Sequence, residues 1–234
     1  MKKLSDYIFQ NTRAYDEIAF LFSSTREYIW KDIKPLKRFA TKENRILDIG
    51  CGNGRLYQLF DDLSTRFTGI DISENLINIA KEKYSEATFI VGDMRKLPFE
   101  DGSFDIAYSI AAVHHLPPEG QQEVLQEVSR VLVPGGLFVM TNWNFLGRWT
   151  KKRIEKGRYL IGDTPDHIIA NFISGDKKTD APRHYWNITP EQMEKMAEAA
   201  GFVVKEQYYS KNGEEEGVKE ADNLISILEK KKEA

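Results

Sequence analysis

Short apolar runs of strand type alternate along this chain with stretches whose apolar residues recur every three or four positions. Arg45–Ile49, RFTGID ending at Asp71, ATFIVGD ending at Asp93, FDIAYSI ending at Ile110 and GLFVMTNW ending at Trp143 read as strands. RLYQLFDDL from Arg55, ENLINIAKEKY from Glu74 and EGQQEVLQEVSRVL from Glu119 read as helices between them. The last carries Val124, Leu125, Val128, Val131 and Leu132 on one face. Ser73 is a natural N-cap, while Asp101-Gly102 and VPGG (133–136) mark turns. PEQMEKMAEAAG predicts a late helix, and FVVKEQYYS and ADNLISILEK predict two closing strands with no helix between them. Alternating strand and helix predicts a doubly wound α/β fold: a mostly parallel sheet with helices on both faces, ended by an antiparallel pair. Residues 1–42 read as two helices ahead of the sheet, and residues 142–188 as a long insertion after the fifth strand.

The first strand runs into ILDIGCGNG, a turn with glycine at positions 50, 52 and 54, followed by a helix-like segment. Glycines there allow positive φ and bring bare N–H groups close to a ligand at a helix start. Asp71 closes the second strand, where a carboxylate can accept both hydroxyl protons of a ribose. Together these features point to a nucleotide-like cofactor. The dinucleotide fingerprint needs a third glycine at position 55, and this chain has Arg55.

Composition narrows the class. A length of 234 residues with 41% hydrophobic content fits one domain, 1–234, with a 1–42 helical cap and the 142–188 insertion on its substrate side. A single cysteine, Cys51, leaves no internal disulfide framework or cysteine-based zinc cluster, and four scattered histidines make no ligand set, so no metal is expected. No apolar run is long enough to cross a bilayer, and the N-terminus is too acidic for a secretory signal, so a cytoplasmic setting is expected.

The pattern D-x-G-x-G-x-G from Asp48 to Gly54, with Asp71 and Asp93 beyond it, resembles the class I S-adenosylmethionine (SAM) methyltransferases of methyltransferase type 11. That resemblance implies a seven-stranded sheet of order 3-2-1-4-5-7-6 and SAM as cofactor. It implies that Asp48, Gly50, Cys51, Gly52 and Gly54 cradle the methionine end, with Asp48 toward the ammonium. Asp71 would hold the ribose, Ile72 and Met94 the adenine faces, and Asp93 the adenine amino group. Ser109 to His115, in SIAAVHH, corresponds to the stretch where methyl donor meets acceptor. His114 and His115 are there to orient a substrate, to act as a base, or to serve structure alone. Methyl transfer from a sulfonium is an in-line displacement, so alignment supplies much of the rate, and a carboxylate acceptor needs no base.

Tyr15, Phe22, Thr25, Arg26 and Trp30, with Arg183-His-Tyr185 and Asp222-Asn223, resemble the tRNA wobble-uridine carboxymethyl methyltransferases. The resemblance implies that Tyr15 and Arg26 cover the methionine end of SAM. It makes His114, Arg26, Arg183 and Tyr185 the acceptor-side residues, tRNA the acceptor, and a small zinc-binding protein a possible activating partner. RHYW stands where the family has an RYYH-like segment, which departs from its pattern. The alternatives are a small-molecule O-, N- or C-methyltransferase of the quinone-biosynthesis type, sharing GDMRKLPFEDGSFD, and a SAM-fold protein that binds without catalysing. The insertion holds nine Lys/Arg (148, 151, 152, 153, 156, 158, 177, 178, 183) against five acids (155, 163, 166, 176, 180), a balance of +4 within a chain of net −3, plus Trp143, Trp149 and Trp186. It is either a surface for an anionic, nucleotide-like substrate or a solvated lid with its own small core.

Overall fold

The computed structural model describes residues 2–62, 66–174 and 177–232, with backbone alone at 173–174 and 177–180. Helix α1 (Leu4–Ser24) precedes β1 (Arg45–Ile49), β2 (Arg66–Asp71), α2 (Glu74–Lys83), β3 (Thr88–Val91), β4 (Phe104–Ile110), α3 (Pro118–Val131) and β5 (Leu132–Trp143). The insertion follows as α4 (Arg148–Glu155), β6 (Tyr159–Ile161), β7 (His167–Ser174) and β8 (Lys177–Trp186). The chain closes with α5 (Pro190–Ala199), β9 (Phe202–Lys211), β10 (Glu214–Glu215) and β11 (Asn223–Lys230).

The main sheet has the order β3-β2-β1-β4-β5-β11-β9-β10. Its first five strands pair in parallel, and β11 runs antiparallel to both β5 and β9. This is the expected 3-2-1-4-5-7-6 arrangement, lengthened by a two-residue eighth strand at the β9 edge. Leu47, Ile49, Val124, Leu125, Val128 and Phe138 fill one face beneath α3, while Ile46, Phe60, Phe67, Ile77 and Tyr108 fill the other beneath α2. Burial on both faces is why β1 shows no alternation: Ile46, Leu47, Asp48 and Ile49 are all buried.

Local structure departs from expectation in three places. RLYQLFDDL is not an α-helix: Arg55–Leu59 forms a 3₁₀ helix, and Leu63 lies outside the described residues. Leu56 and Leu59, three apart, are its buried pair, which suits three residues per turn. The second N-terminal helix is likewise a 3₁₀ segment, Lys34–Phe39, with Pro35 in its first turn. VPGG does not end a turn ahead of β5 but sits inside it as a bulge, since Phe104 pairs with Leu132 and Ile106 with Leu137.

The insertion has its own core. β6, β7 and β8 form a three-stranded antiparallel sheet, and Phe145, Tyr159, Ile168, Ala170 and Tyr185 pack beneath it with Trp143, Trp149 and Ile154. Trp143 stacks on Tyr185, Trp149 meets Tyr159 edge-on, and Trp186 stacks on His167. All three tryptophans therefore pack against the protein itself, as a lid with its own core requires.

Helix α1 straps this sheet to the main one. The Asn11 side chain accepts from His184 N–H at 2.7 Å and donates to the carbonyls of His184 and His115 at 3.2 and 2.9 Å. Five residues on, Asp16 accepts from the Ser73 hydroxyl at the start of α2. The α1 face between these anchors roofs the carboxyl edge of the sheet.

Candidate functional site

A cavity of about 1160 Å³, counted with its mouth, opens under that roof. Of the residues singled out in the sequence, Tyr15, Arg26, Asp48, Gly50, Cys51, Gly52, Asp71, Ile72, Asp93, Met94 and Arg183 line it. Ligands lie beyond the carboxyl ends of strands in such sheets, and β1, β2 and β4 all end here. The glycine turn is fastened from below: Gly50 and Cys51 N–H donate to the Ile70 carbonyl at 2.8 and 3.1 Å. Asp71 fastens it from the side, accepting from Gly52 N–H at 2.8 Å and from Ser73 N–H at 2.9 Å. The Asp93 carboxylate is forked by the Arg95 guanidinium, at 2.6 Å to Nη2.

The three glycines have different tasks. A Cβ on Gly50 would sit 2.3 Å from that of Ala112, so this glycine lets the loop after β4 close on the turn. A Cβ on Gly54 would meet the Phe89 ring at 2.8 Å, and Gly54 lies off the cavity lining. Only at Gly52 is the added atom free of the protein, with Phe22 at 3.8 Å and φ at +53°.

Ser109, His114 and Tyr185 also lie off the lining, contrary to expectation. Ser109, near the end of β4, is buried, 1% exposed. His114 and Tyr185 are fully buried behind Trp143, and the histidine that faces the cavity is His115. Phe22 and Trp30, aromatic members of the pattern that includes Tyr15 and Arg26, line the cavity as well, and Arg55 lines it without having been expected there. The signal for Arg55 is its position directly after the turn, where spacing marks it only as the absence of a third glycine.

Hydrogen bonding fixes the proton on each histidine. His115 Nδ1 lies 2.9 Å from the His184 carbonyl, which can only accept, so Nδ1 carries the hydrogen. Nε2 is then an acceptor, and the Tyr15 hydroxyl donates to it at 2.8 Å. The Tyr15 oxygen in turn faces Arg183 Nη1 at 3.5 Å. His114 Nδ1 accepts from Trp143 N–H and His167 Nδ1 from Asp163 N–H, so His167 Nε2–H donates to His184 Nδ1 at 2.9 Å. All four are neutral: burial pushes His115 down to about 3 and His184 to about 4, and lowers His114 and His167 as well.

A pH effect on stability follows. A folded-state value below the unfolded one, about 6.5, means that the unfolded chain binds more protons as pH falls through that range. The histidine contribution to stability is therefore full above about pH 6.5 and declines progressively toward pH 4, while the raised Asp48 carboxyl contributes with the opposite sign over the same range. In Asp48→Asn, which removes that opposing titration, the urea midpoint should fall clearly from pH 7.5 to 5.0; an unchanged midpoint there would refute the neutral, buried assignment.

The cations differ from the histidines in lacking a charged partner among the described residues. Arg183 lies over the rings of Tyr15, Phe172 and Tyr185, and its Nε is buried without a hydrogen bond. Arg26 donates only to Thr25, and among the described residues neither arginine pairs with a carboxylate. Asp48 is the opposite case, a buried carboxyl whose Oδ2 has no partner; burial, with Asp71 nearby, pushes it up to about 8.

Residues 47–140 match the methyltransferase domain family. Over 220 residues, 93% of this chain and 94% of the relative, the chain is 31% identical to a putative methyltransferase of Encephalitozoon cuniculi. It is 36% identical over 164 residues to a tRNA (carboxymethyluridine(34)-5-O)-methyltransferase of Xenopus tropicalis, covering 68% of this chain but only 26% of that longer protein. A sterol 4-C-methyltransferase of Caenorhabditis elegans matches 40% of the chain, and 29% of its own length, at 36% identity. Among solved structures, a SAM-dependent methyltransferase of Methanosarcina mazei superposes with a TM-score of 0.67 at 22% identity, over 85% of this chain and 98% of that one. The chain belongs to the SAM-dependent methyltransferases.

Proposed function

We propose that this methyltransferase esterifies a carboxylate, that of a modified wobble uridine in tRNA. Bound SAM supplies a methyl group carried on a positive sulfur. The cavity's own residues suit that cofactor: the unpartnered Asp48 Oδ2 takes the ammonium, and the free lone pairs of Asp71 take the ribose hydroxyls. Ile72 and Met94 hold the adenine between them, with Asp93 toward its amino group, while Tyr15 and Arg26 roof the methionine end.

The observation that carries the acceptor is Arg183, a buried guanidinium on the cavity wall that pairs with no acid among the described residues. An unpaired buried cation is costly, and a carboxylate meets its fork in two parallel hydrogen bonds. The His115–Tyr15 chain supports the same reading. Its protons all run toward the protein, so it aims Arg183 and leaves no free base. An acceptor that is already ionised at neutral pH needs none. The name borne by the Xenopus relative specifies such an acceptor for that protein.

Two anticodon stem-loops test this, one bearing carboxymethyluridine and one its uncharged amide. With S-adenosylhomocysteine present, the acid should bind at least about tenfold tighter. Equal affinity would refute the carboxylate reading, and affinity only for a small carboxylic acid would favour the small-molecule alternative.

The exposed cations of α4 and the turn after it are the proposed contact with the tRNA backbone. Arg148 is held by Glu220 at 2.7 Å and Arg153 lies over Trp149, which leaves Lys151, Lys152, Lys156 and Arg158 exposed. Changing these four to Gln should weaken tRNA binding and flatten its salt dependence, by roughly one unit of log–log slope for each phosphate no longer neutralised. Affinity for S-adenosylhomocysteine should not change. An unaltered salt slope would remove this surface from the account.

A further inference from the structure

Helix α1 has an outer face that no role assigned so far uses. Its inner face carries the buried residues Tyr7, Asn11, Ala14 and Ile18. The opposite face carries Phe9, Arg13, Glu17 and Phe20, at steps of four, four and three residues, which makes one stripe along the helix. All four residues are exposed, Phe9 at 68% and Phe20 at 84%. Of the described phenylalanines, these two alone stand in solvent. Arg13 and Glu17 are four apart, yet neither is in an ion pair among the described residues.

The stripe is complementary to itself. The midpoint of Phe9 and Phe20 falls between Ala14 and Tyr15, and that of Arg13 and Glu17 falls on Tyr15. A second α1 turned end for end about that point sets Phe9 against the partner's Phe20 and Arg13 against the partner's Glu17, and each pair occurs twice. A two-fold axis demands this arrangement, since wherever one residue meets another, the reverse contact is made as well. A stripe with charges of one sign would repel its own copy. The next pair outward, Asp6 with Ser24, sets no like charges together.

We propose that the outer face of α1 is a two-fold interface through which two copies of this chain associate, with their α1 helices antiparallel and crossing near Ala14 and Tyr15. The phenylalanines supply the apolar contact, and the Arg–Glu pairs fix the register. One helix face makes a small interface, so the dimer is weak, with a dissociation constant of roughly 1–100 μM. The residues of α1 that line the cavity, Ile8, Thr12, Tyr15 and Phe22 among them, lie off the stripe, so association leaves each site its own lining. The inference is independent of the acceptor and of the cofactor.

Sedimentation equilibrium of the full chain at low salt, where exposed charges are least screened, tests this. The wild type should pass from monomer to dimer as its concentration rises through roughly 1–200 μM. Phe20→Glu should weaken association at least about 30-fold and leave the urea midpoint unchanged, since the ring it removes is exposed. Arg13→Glu and Glu17→Arg should each weaken association roughly tenfold, because each brings two pairs of like charges together. Mixed one to one, those two variants should pair with each other at close to wild-type affinity, since every charge pair across the axis is then again of opposite sign. A wild type that stays monomeric throughout would overturn the proposal, and so would a dimer indifferent to Phe20→Glu. A mixture no tighter than its components would overturn it too, because the antiparallel register requires the rescue. If Phe20→Glu lowers the urea midpoint, Phe20→Gln and the mixing experiment decide in its place.

Discussion

Replacing Arg183 by Met should slow methyl transfer roughly a hundredfold to a thousandfold while leaving the affinity for S-adenosylhomocysteine within about twofold. Arg183 is 5% exposed and lies over three rings, so its removal breaks no ion pair among the described residues. Methionine fills similar volume among Tyr15, Phe172 and Tyr185, and it relieves the cost of an unpaired buried charge. The variant should therefore melt no lower than the wild type. What it lacks is the cation proposed to hold the acceptor and screen its negative charge. Tyr15→Phe should give a milder form of the same defect, because it breaks the chain from His115 that aims Arg183. Full turnover in a folded Arg183→Met would separate this arginine from the acceptor.

Asp71→Ala should weaken S-adenosylhomocysteine binding by about 1.5–3 kcal/mol. It should also destabilise the fold by about 1–3 kcal/mol. Both effects come from one carboxylate. Each oxygen accepts a backbone N–H, from Gly52 and from Ser73, and the lone pairs left over face the cavity. Alanine orphans two donors and removes the proposed ribose partner. The loss is partly offset, since Asp71 also raises the pKa of Asp48, and a repulsion between buried acids disappears with it. Asp71→Asn should rescue little, because its amide would turn an N–H toward one of those two donors. Calorimetry together with urea unfolding separates the two effects. Unaltered ligand affinity in a folded Asp71→Ala would overturn the ribose assignment.

The parts of this site that were legible in the sequence are those whose chemistry is local. Gly50 to Gly54 and Asp71 announce themselves through spacing, and the frame around them follows from two short strand-type segments, RILDI and RFTGID, on either side. The reasons behind the glycines were not legible. Gly50 and Gly54 answer to Ala112 and Phe89, residues far along the chain. The pair His114-His115 could not be resolved by spacing, because neighbouring residues of a 3₁₀ turn point different ways, and only His115 reaches the cavity. Strand β7 does alternate, with Ile168, Ala170 and Phe172 buried, but Ile169 on its other face blurs the pattern. Strand β8 is buried on both sides from Arg183 to Trp186, so it shows no alternation at all. Seating Arg183 over Tyr15 joins residues from opposite ends of the chain, which no local pattern encodes.

The most direct measurement is mass spectrometry of nucleosides after incubating tRNA that carries carboxymethyluridine with the protein and SAM. The account predicts that the wobble nucleoside gains one methyl group as an ester, which mild alkali removes to regenerate the acid. It also predicts a rate flat between pH 6.5 and 8.5 when SAM is saturating, since no base titrates in the transfer. No methylated nucleoside, or a methyl group that survives alkali, would contradict it.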